Sequence, residues 1–521
     1  MRLSGRWRFP LCAGVLFLAG NALLRVFLFW RFVEPHAFLP LLRASWAGLR
    51  MDAAALGWLL LPWMLVSALL PAGLRETKAR RALGHLSFIL GSGLFLFLLV
   101  VEYFFFDEFN SRFNTVAVDY LLYPHEVFIN IHESYPVAPF VLAALIGGLG
   151  AWAAFRRTLD EGLRNPCPPG SKGRVFAAYL LSALVLTQTA SFQGARWSRD
   201  RVLNEVSGNG LYSLIYAAWS RDLEYQAFYR SLPQEEAYER TRRLLQEKGA
   251  RWGADPDSIQ RSIPGRRSGP RNLVLILVES FGSEFWGSLG ASPGWTPRMD
   301  EWSRKGLLFT NLYATGNRTV RGLEGVLASF PPLPGDSIVK RRLSDRVSTL
   351  ARTLGGRGHE TLFLYGGRGL FDGMRSFALR NGYGRFIEQK DFKDPVFATV
   401  WGVCDEDLLD RALSEARALH ARKKLFFATV LTVSNHKPYT YPKGRIPEDP
   451  DLQARPHAVK YTDHAIGRFL DQASKEDFFK DTLFAVVADH GARVYGKEDI
   501  PIHSYEIPML VIDPRVPGGR R

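Results

Sequence analysis

The chain has 521 residues, of which 47% are hydrophobic and 22% charged, and its formal net charge is +15. That length allows two or three domains, and its three cysteines, Cys12, Cys167 and Cys404, give no basis for a disulfide framework. The apolar residues crowd into roughly the first 200 positions, in runs near the about 18 to 20 residues that cross a bilayer, which excludes a uniformly soluble chain.

In chain order, five runs read as membrane spans, at about 9–30, 53–71, 84–106, 137–155 and 175–192. Core helices of soluble domains rarely run so long without charges, and Arg25 makes the first run the least clean. No small-residue cleavage site follows Phe29 and Trp30, so this run reads as an uncleaved anchor and not as a signal peptide. The flanks decide orientation, because Lys and Arg are retained on the cytoplasmic side. Arg2, Arg6 and Arg8 precede the first span, Arg75, Lys78, Arg80 and Arg81 follow the second, and Arg156, Arg157, Arg164, Lys172 and Arg174 follow the fourth. The alternate loops hold only Arg31, Arg43 and Arg50, then Arg112 among Asp and Glu residues. The N-terminus is therefore expected in the cytoplasm, and five crossings leave everything after residue 192 outside it. A basic domain tethered there meets anionic lipid head groups, so the positive charge is read as serving topology and solubility, with no nucleic-acid partner.

Residues 193–270 change character. GNGLYSLIYAAWSRDLEYQAFYRSLPQEEAYERTRRLLQEKGARW has helical apolar spacing and suits a juxtamembrane linker, with Trp219, Tyr225 and Tyr229 placed for an interface. A helical hairpin between two folded parts fits the same pattern. DPDSIQRSIPGRRSGP, rich in Pro, Gly, Ser and Arg, then reads as a linker. From 271 to 521 short apolar runs alternate with helical segments. NLVLILVES, TLFLYGG, KLFFATVLTVSNH, DTLFAVVADHG and EIPMLVIDP each read as a buried strand ending in a polar cluster. That alternation predicts an α/β domain with a mostly parallel sheet, whose sites form beyond the carboxyl ends of the strands.

Those ends carry Glu279, His436, Asp489 and His490. Glu279, Asp489 and His490 are the ligand types that hold a divalent ion such as Mn2+ or Zn2+, although a helix cap and an ordinary strand-end histidine would use the same residues. Thr319, in YATGNRTVRGLEG, is a candidate nucleophile. A threonine hydroxyl needs a base or a metal to lower its pKa, and the glycines and a helix beginning near Arg321 would present N–H groups to an anion. The plainer alternative for Thr319 is a helix N-cap.

Taken in order, the five spans, SRFNTVAVDYLLYPHEV, NGLYSLIYAAW, LVES, GNRTVRGLEGVLASFPPLPG, YGGRGLFDGM, NGYGRF, WGVCDEDL, LTVSNHKPY and ADHG resemble the lipoteichoic acid synthase family of the sulfatase and alkaline phosphatase superfamily. The resemblance covers nearly the whole chain. It implies a five-helix membrane domain over 1–192 and an exported sulfatase-like catalytic domain over 271–521, facing the periplasm from a bacterial inner membrane. It implies that Glu279, Thr319, Asp489 and His490 bind the metal, Mn2+ first with Zn2+ or Mg2+ as the other ions, and that Thr319 is the nucleophile. His436 would lie in the substrate pocket, either protonating a leaving group or holding the head group.

The chain departs from the family where Asp372 and Met374 stand in YGGRGLFDGM in place of the usual Trp and Arg, as in the Gram-negative branch. Arg368 and Asp372 are the expected replacements for those head-group contacts, Lys437 joins Arg368 as a candidate for the phosphate, and His503 is expected beside the metal or the substrate, with a structural histidine as the alternative. The chain also stops at DPRVPGGRR, short of the family's closing helices and last strand, so its end reads as atypical or truncated. The activity so implied is transfer of glycerol phosphate from phosphatidylglycerol to an envelope glycan or lipid through an ester on Thr319. The rivals are a phosphodiesterase or sulfatase, a phosphoethanolamine transferase, and a non-catalytic lipid sensor or scaffold. Thr-Val-Arg at the nucleophile lacks the Cys or Ser with Pro and Arg of arylsulfatases, and the lone Cys404 lacks the disulfide pairs of phosphoethanolamine transferases.

Overall fold

In a computed structural model of the chain, residues 7–69, 77–122, 124–164, 172–220, 230–264, 269, 271–333, 335–341, 344–516 and 518–519 are described. They fall into two compact units, Met1–Trp219 with Gly491–Glu506, and Ser220–His490 with Ile507–Arg521.

The first unit is helical: α1 (Arg8–Phe32), α2 (Phe38–Leu59, followed by Leu61–Leu69), α3 (Lys78–Phe109), α4 (Val137–Arg164) and α5 (Lys172–Thr189). Among the described residues four helices, Arg8–Phe32, Phe38–Leu69, Arg81–Phe109 and Val137–Leu163, are long and apolar enough to span a bilayer. The chain is an integral membrane protein. The fifth expected span is the 18-residue α5, which opens on Lys172 and Arg174 and closes on Thr187, Gln188 and Thr189. Its polar ends keep it out of that group of four, yet it packs on α2 as a bundle member. Trp58 Nε1 donates to Thr187 Oγ1 at 2.7 Å, Tyr179 Oη donates to Gly57 O, and a Cβ on Gly57 would lie 3.1 Å from that of Ala183. Small residues likewise bring α3 and α4 together, since a Cβ on Gly148 would lie 2.7 Å from Ile89 O. One boundary differs markedly from expectation: α2 begins at Phe38, so Arg43 and Arg50 are helical and not loop charges. Cys167 lies outside the described residues.

Arg25, the flaw in the first span, has a partner in the second. Its Nη2 donates to Asp52 Oδ1 at 2.9 Å and to Gly208 O at 3.2 Å, and Asn209 Nδ2 donates to Asp52 Oδ1 at 2.8 Å and Asn21 Oδ1 at 3.0 Å. Gly48 leaves the room, because a Cβ there would lie 2.2 Å from the guanidinium. A second buried pair, Arg112 with Glu102, sits beside Glu205, whose Oε2 accepts from Arg112 N at 2.9 Å. Replacing one partner leaves a buried uncompensated charge. Arg25→Leu is therefore expected to destabilise the membrane unit by about 3–5 kcal/mol, read as a lower unfolding midpoint in detergent; an unchanged midpoint would refute the pair's contribution. Gly491–Glu506 belongs to this unit: Arg493 Nε donates to Glu108 O at 3.0 Å, Lys497 Nζ to Glu34 O at 2.6 Å, and Arg201 N to Lys497 O at 2.7 Å.

Of the juxtamembrane segment, Gly210–Trp219 and Gln234–Leu244 are helices and Trp219 is 89% exposed; Tyr225 and Tyr229 lie outside the described residues. The expected linker contains one strand of a short ribbon, Arg261–Ser262 pairing antiparallel with Arg251–Trp252.

The second unit holds a seven-stranded sheet of β1 (Asn272–Val278), β2 (Leu307–Phe309), β3 (Glu360–Tyr365), β4 (Arg385–Ile387), β5 (Phe426–Leu431), β6 (Thr482–Ala488) and β7 (Met509–Ile512). Its order is β2-β7-β6-β1-β5-β3-β4. The run β6-β1-β5-β3-β4 is parallel, and β7 is antiparallel to both of its neighbours. All five expected strands form; four of them are parallel strands that read as continuous apolar runs because they are buried on both faces, while the antiparallel β7 is buried at alternate positions. The two unforeseen strands, β2 and β4, are three-residue edges with partly exposed side chains, too short to show a pattern. Three further helices, α6 (Thr319–Ala328), α7 (Asp405–Ala421) and α8 (Arg455–Ala473), complete the frame, α7 packing on β5 and against α8.

Candidate active site

Strands β6, β1 and β5 are neighbours in register, Val278 opposite Ala488 and Leu277 opposite Leu431. The residues after their carboxyl ends therefore emerge together. Ligand atoms of Glu279, Asp489 and His490 lie within 4.8 Å of one another. The main chain fixes this arrangement: Glu279 N donates to Thr432 Oγ1 at 3.0 Å, Asn435 Nδ2 to Glu279 O at 2.9 Å, and Ser280 N and His490 N to Asp489 Oδ1 at 2.9 and 2.7 Å. Ser280 adopts φ 50°, a left-handed conformation costly for a residue with a Cβ. The turn is thus held against its own preference where the site requires it.

Thr319 joins the cluster from α6, its Oγ1 donating to Glu279 Oε2 at 2.9 Å. The helix starts at Thr319, earlier than the expected Arg321, and its N-cap is Arg318. Thr319 is therefore a first-turn residue and not the cap, which leaves its hydroxyl to the carboxylate. Gly322 allows the approach, since a Cβ there would lie 2.4 Å from Asp489 O, a backbone atom that cannot swing away. Gly322→Ala is expected to push α6 off Asp489 and lower turnover by about tenfold or more with the fold retained; wild-type turnover would show that this contact is dispensable.

His436 reaches the cluster from the loop after β5, its Nε2 3.5 Å from Glu279 Oε1, and His490 Nε2 is 3.6 Å from the same oxygen. Burial alone would raise the Glu279 pKa, but His436, His490 and the Ser280 hydroxyl together hold it down at about 2. Asp489 moves the other way, pushed well above the usual carboxylate range by burial and by the Glu279 charge. Two carboxylates this close cannot both ionise without a cation between them. The His436 pKa is lowered by burial, and Arg455 and Arg318 add to the effect. A divalent metal fits this donor set on one further observation: among the described residues Asp489 Oδ2 is buried with no hydrogen-bond partner, His490 Nε2 standing 3.6 Å away, the condition that a cation removes.

The remaining expected residues are dispersed. Arg368 follows β3 and lines, with Arg375, Glu388 and Lys390, a cavity of about 320 Å³ that contains none of the triad. Asp372 is buried at φ 51° and forms an ion pair with Lys340 Nζ at 3.5 Å, so its charge is engaged there. Lys437 is half-buried directly after His436. His503 belongs to the other compact unit, exposed and edge-on to Tyr495 at 5.1 Å. A second cavity, of about 1070 Å³ along β4, contains no triad residue either; ligand chemistry and not cavity size locates the site. Sequence reading missed Arg318 and Arg455, whose charges act on His436, and Trp401, whose ring stacks on it at 4.3 Å. Arg318 and Trp401 stand inside motifs already noted, but nothing in their spacing points at His436.

Residues 271–519 match the family model described as Sulfatase. Phosphoglycerol transferase I of Salmonella arizonae is 26% identical over 235 residues, 42% of this chain and 30% of that protein, so the match spans about a third of the curated relative's length. The crystal structure of a protein in the alkaline phosphatase superfamily from Vibrio parahaemolyticus is 39% identical, covering 57% of this chain and 73% of that one with a TM-score of 0.53. The integral membrane lipooligosaccharide phosphoethanolamine transferase A of Neisseria meningitidis shares the fold over 96% of this chain and 87% of its own, at 15% identity and a TM-score of 0.54.

Proposed function

This chain belongs to the sulfatase and alkaline phosphatase superfamily, and on that premise we propose that it is a membrane-bound phosphoglycerol transferase. Its donor is phosphatidylglycerol, its acceptor an envelope glycan or lipid, and its catalytic part, residues 271–521, faces the periplasm from the inner membrane. The observation that carries the reading is the Thr319 hydroxyl held 2.9 Å from Glu279 Oε2 at the edge of the Glu279, Asp489 and His490 cluster. The named relative, a phosphoglycerol transferase, supports the same head group.

A divalent cation, Mn2+ first, held by Glu279, Asp489, His490 and the Thr319 oxygen would supply Lewis acidity, acidifying the hydroxyl and neutralising phosphate charge. Thr319 Oγ1, its proton given up to solvent as the hydroxyl is acidified, forms the bond to phosphorus and the bond to the diacylglycerol oxygen breaks, leaving a phosphoglyceryl ester on Thr319. First-turn N–H groups of α6 face the anion that develops there. His436 protonates the departing oxygen or holds the head group, and an acceptor hydroxyl then displaces Thr319. Lys437, beside His436, and Arg368, which follows β3, are the side chains we assign to phosphate or acceptor contacts. Anchoring suits this chemistry, because the acyl chains stay in the bilayer and only the head group must reach the site.

The test incubates the purified full chain with Mn2+ and vesicles of head-group-labelled phosphatidylglycerol or phosphatidylethanolamine. Diacylglycerol release from the first alone is expected. Release from the second alone would overturn the head-group assignment. Mass spectrometry of envelope glycans and lipids from cells with and without the gene identifies the acceptor.

A further inference from the structure

We propose that Trp401 is a positioning residue of this site, holding the His436 imidazole by one face so that its Nε2 edge addresses the Glu279 carboxylate. The inference rests on the catalytic reading above, in which His436 acts on the leaving group or the head group. The two rings are stacked, 4.3 Å between centroids with planes 18° apart. Stacking of this kind fixes a ring's plane where a hydrogen bond fixes only one edge, and Nε2 then stands 3.5 Å from Glu279 Oε1.

Trp401 is itself rigid. It is 7% exposed, and its ring meets Phe371 edge-on at 5.5 Å and 86°. Its N donates to Thr399 Oγ1 at 3.2 Å. It occupies the turn of an antiparallel ribbon, Ala398–Thr399 with Gly402–Val403. The ribbon is docked on main chain, with Val403 N donating to Gly366 O at 3.0 Å. Gly402 permits that approach at φ 140°, where a Cβ would lie 2.1 Å from Gly366 O.

The backbone that carries His436 is held by other groups. Asp405 Oδ1 accepts from Val433 N at 2.9 Å and Ser434 N at 3.2 Å, Asn435 Nδ2 donates to Glu279 O at 2.9 Å, and His436 N donates to Val433 O at 3.1 Å. Truncating Trp401 therefore frees the imidazole to rotate while its Cα stays in place. The cost falls on the geometry of the reacting groups and not on the fold.

The experiment uses the full chain in phosphatidylglycerol vesicles with Mn2+ and compares wild type, Trp401→Ala, Trp401→Phe, His436→Ala and the Trp401→Ala, His436→Ala double variant. Trp401→Ala is expected to lower kcat by between about tenfold and about a hundredfold with KM little changed. Trp401→Phe, which keeps a stacking face, recovers most of that loss, and the double variant is no worse than His436→Ala. Full activity of Trp401→Ala beside an impaired His436→Ala overturns the proposal, as do losses that multiply in the double variant. Ring-proton NMR of labelled histidine reads the geometry without turnover. The His436 resonance, assigned by its absence in His436→Ala, is expected upfield in the wild type from the indole ring current and downfield again in Trp401→Ala. An unshifted wild-type resonance overturns the proposal. A shifted one upholds the stack even where phosphatidylglycerol is not the donor, so the two failures are told apart.

Discussion

Thr319→Ala is expected to lower diacylglycerol release from phosphatidylglycerol by at least about a thousandfold, to the background of vesicles without protein. The methyl group that remains cannot bond to phosphorus, and among the described residues the other hydroxyl donating to the Glu279 carboxylate is that of Ser280, whose Oγ meets the other oxygen, Oε1, at 2.6 Å. The fold is expected to survive, because the N-cap of α6 is Arg318 and the helix is seated on Asp489 through Gly322. Thr319→Ser keeps an oxygen at the same place and is expected to retain measurable turnover. Release by Thr319→Ala at the wild-type rate, with unchanged thermal unfolding, would sink the nucleophile assignment and leave water as the attacking group.

Asp489→Ala is expected to reduce bound Mn2+ from about one ion per chain to near none, measured by elemental analysis after gel filtration. Among the described residues Asp489 Oδ2 has no hydrogen-bond partner in its buried position, and burial together with the adjacent Glu279 charge pushes the Asp489 pKa up. The site is thus destabilising until a cation fills it. One further consequence follows. Added Mn2+ should stabilise the wild type, by about 2.7 kcal/mol at a hundredfold excess over its Kd, and leave Asp489→Ala unmoved. Equal metal content in both proteins would count against the site.

Much of this architecture was legible because central strands and membrane helices are the elements with the strongest one-dimensional signals. Asn272–Val278, Phe426–Leu431 and Thr482–Ala488 are buried along almost their whole length, so each appears as an unbroken apolar run whose end can be read to the residue. The candidate ligand triad follows from those ends. The edges Leu307–Phe309 and Arg385–Ile387 were not legible, since half-exposed three-residue strands have neither length nor period. The start of α2 was misplaced for a related reason. Arg43, Arg50 and Asp52 look like loop charges until the Asp52 carboxylate is seen to face Arg25 across the bundle.

What the sequence determined by itself is local chemistry in linear order: apolar lengths that make this a membrane protein, strands that end in Glu279, His436 and Asp489 with His490, and a threonine before a glycine-spaced helix. Only the tertiary structure decided which of the expected residues meet. It joined Thr319 to Glu279, engaged Asp372 with Lys340, assigned His503 to the other unit, and set Trp401 against His436. The physical reason is that strand order β6-β1-β5 is a property of sheet assembly, where burial selects neighbours far apart in the chain. Contacts between side chains on separate loops leave no periodicity in sequence from which they could be read.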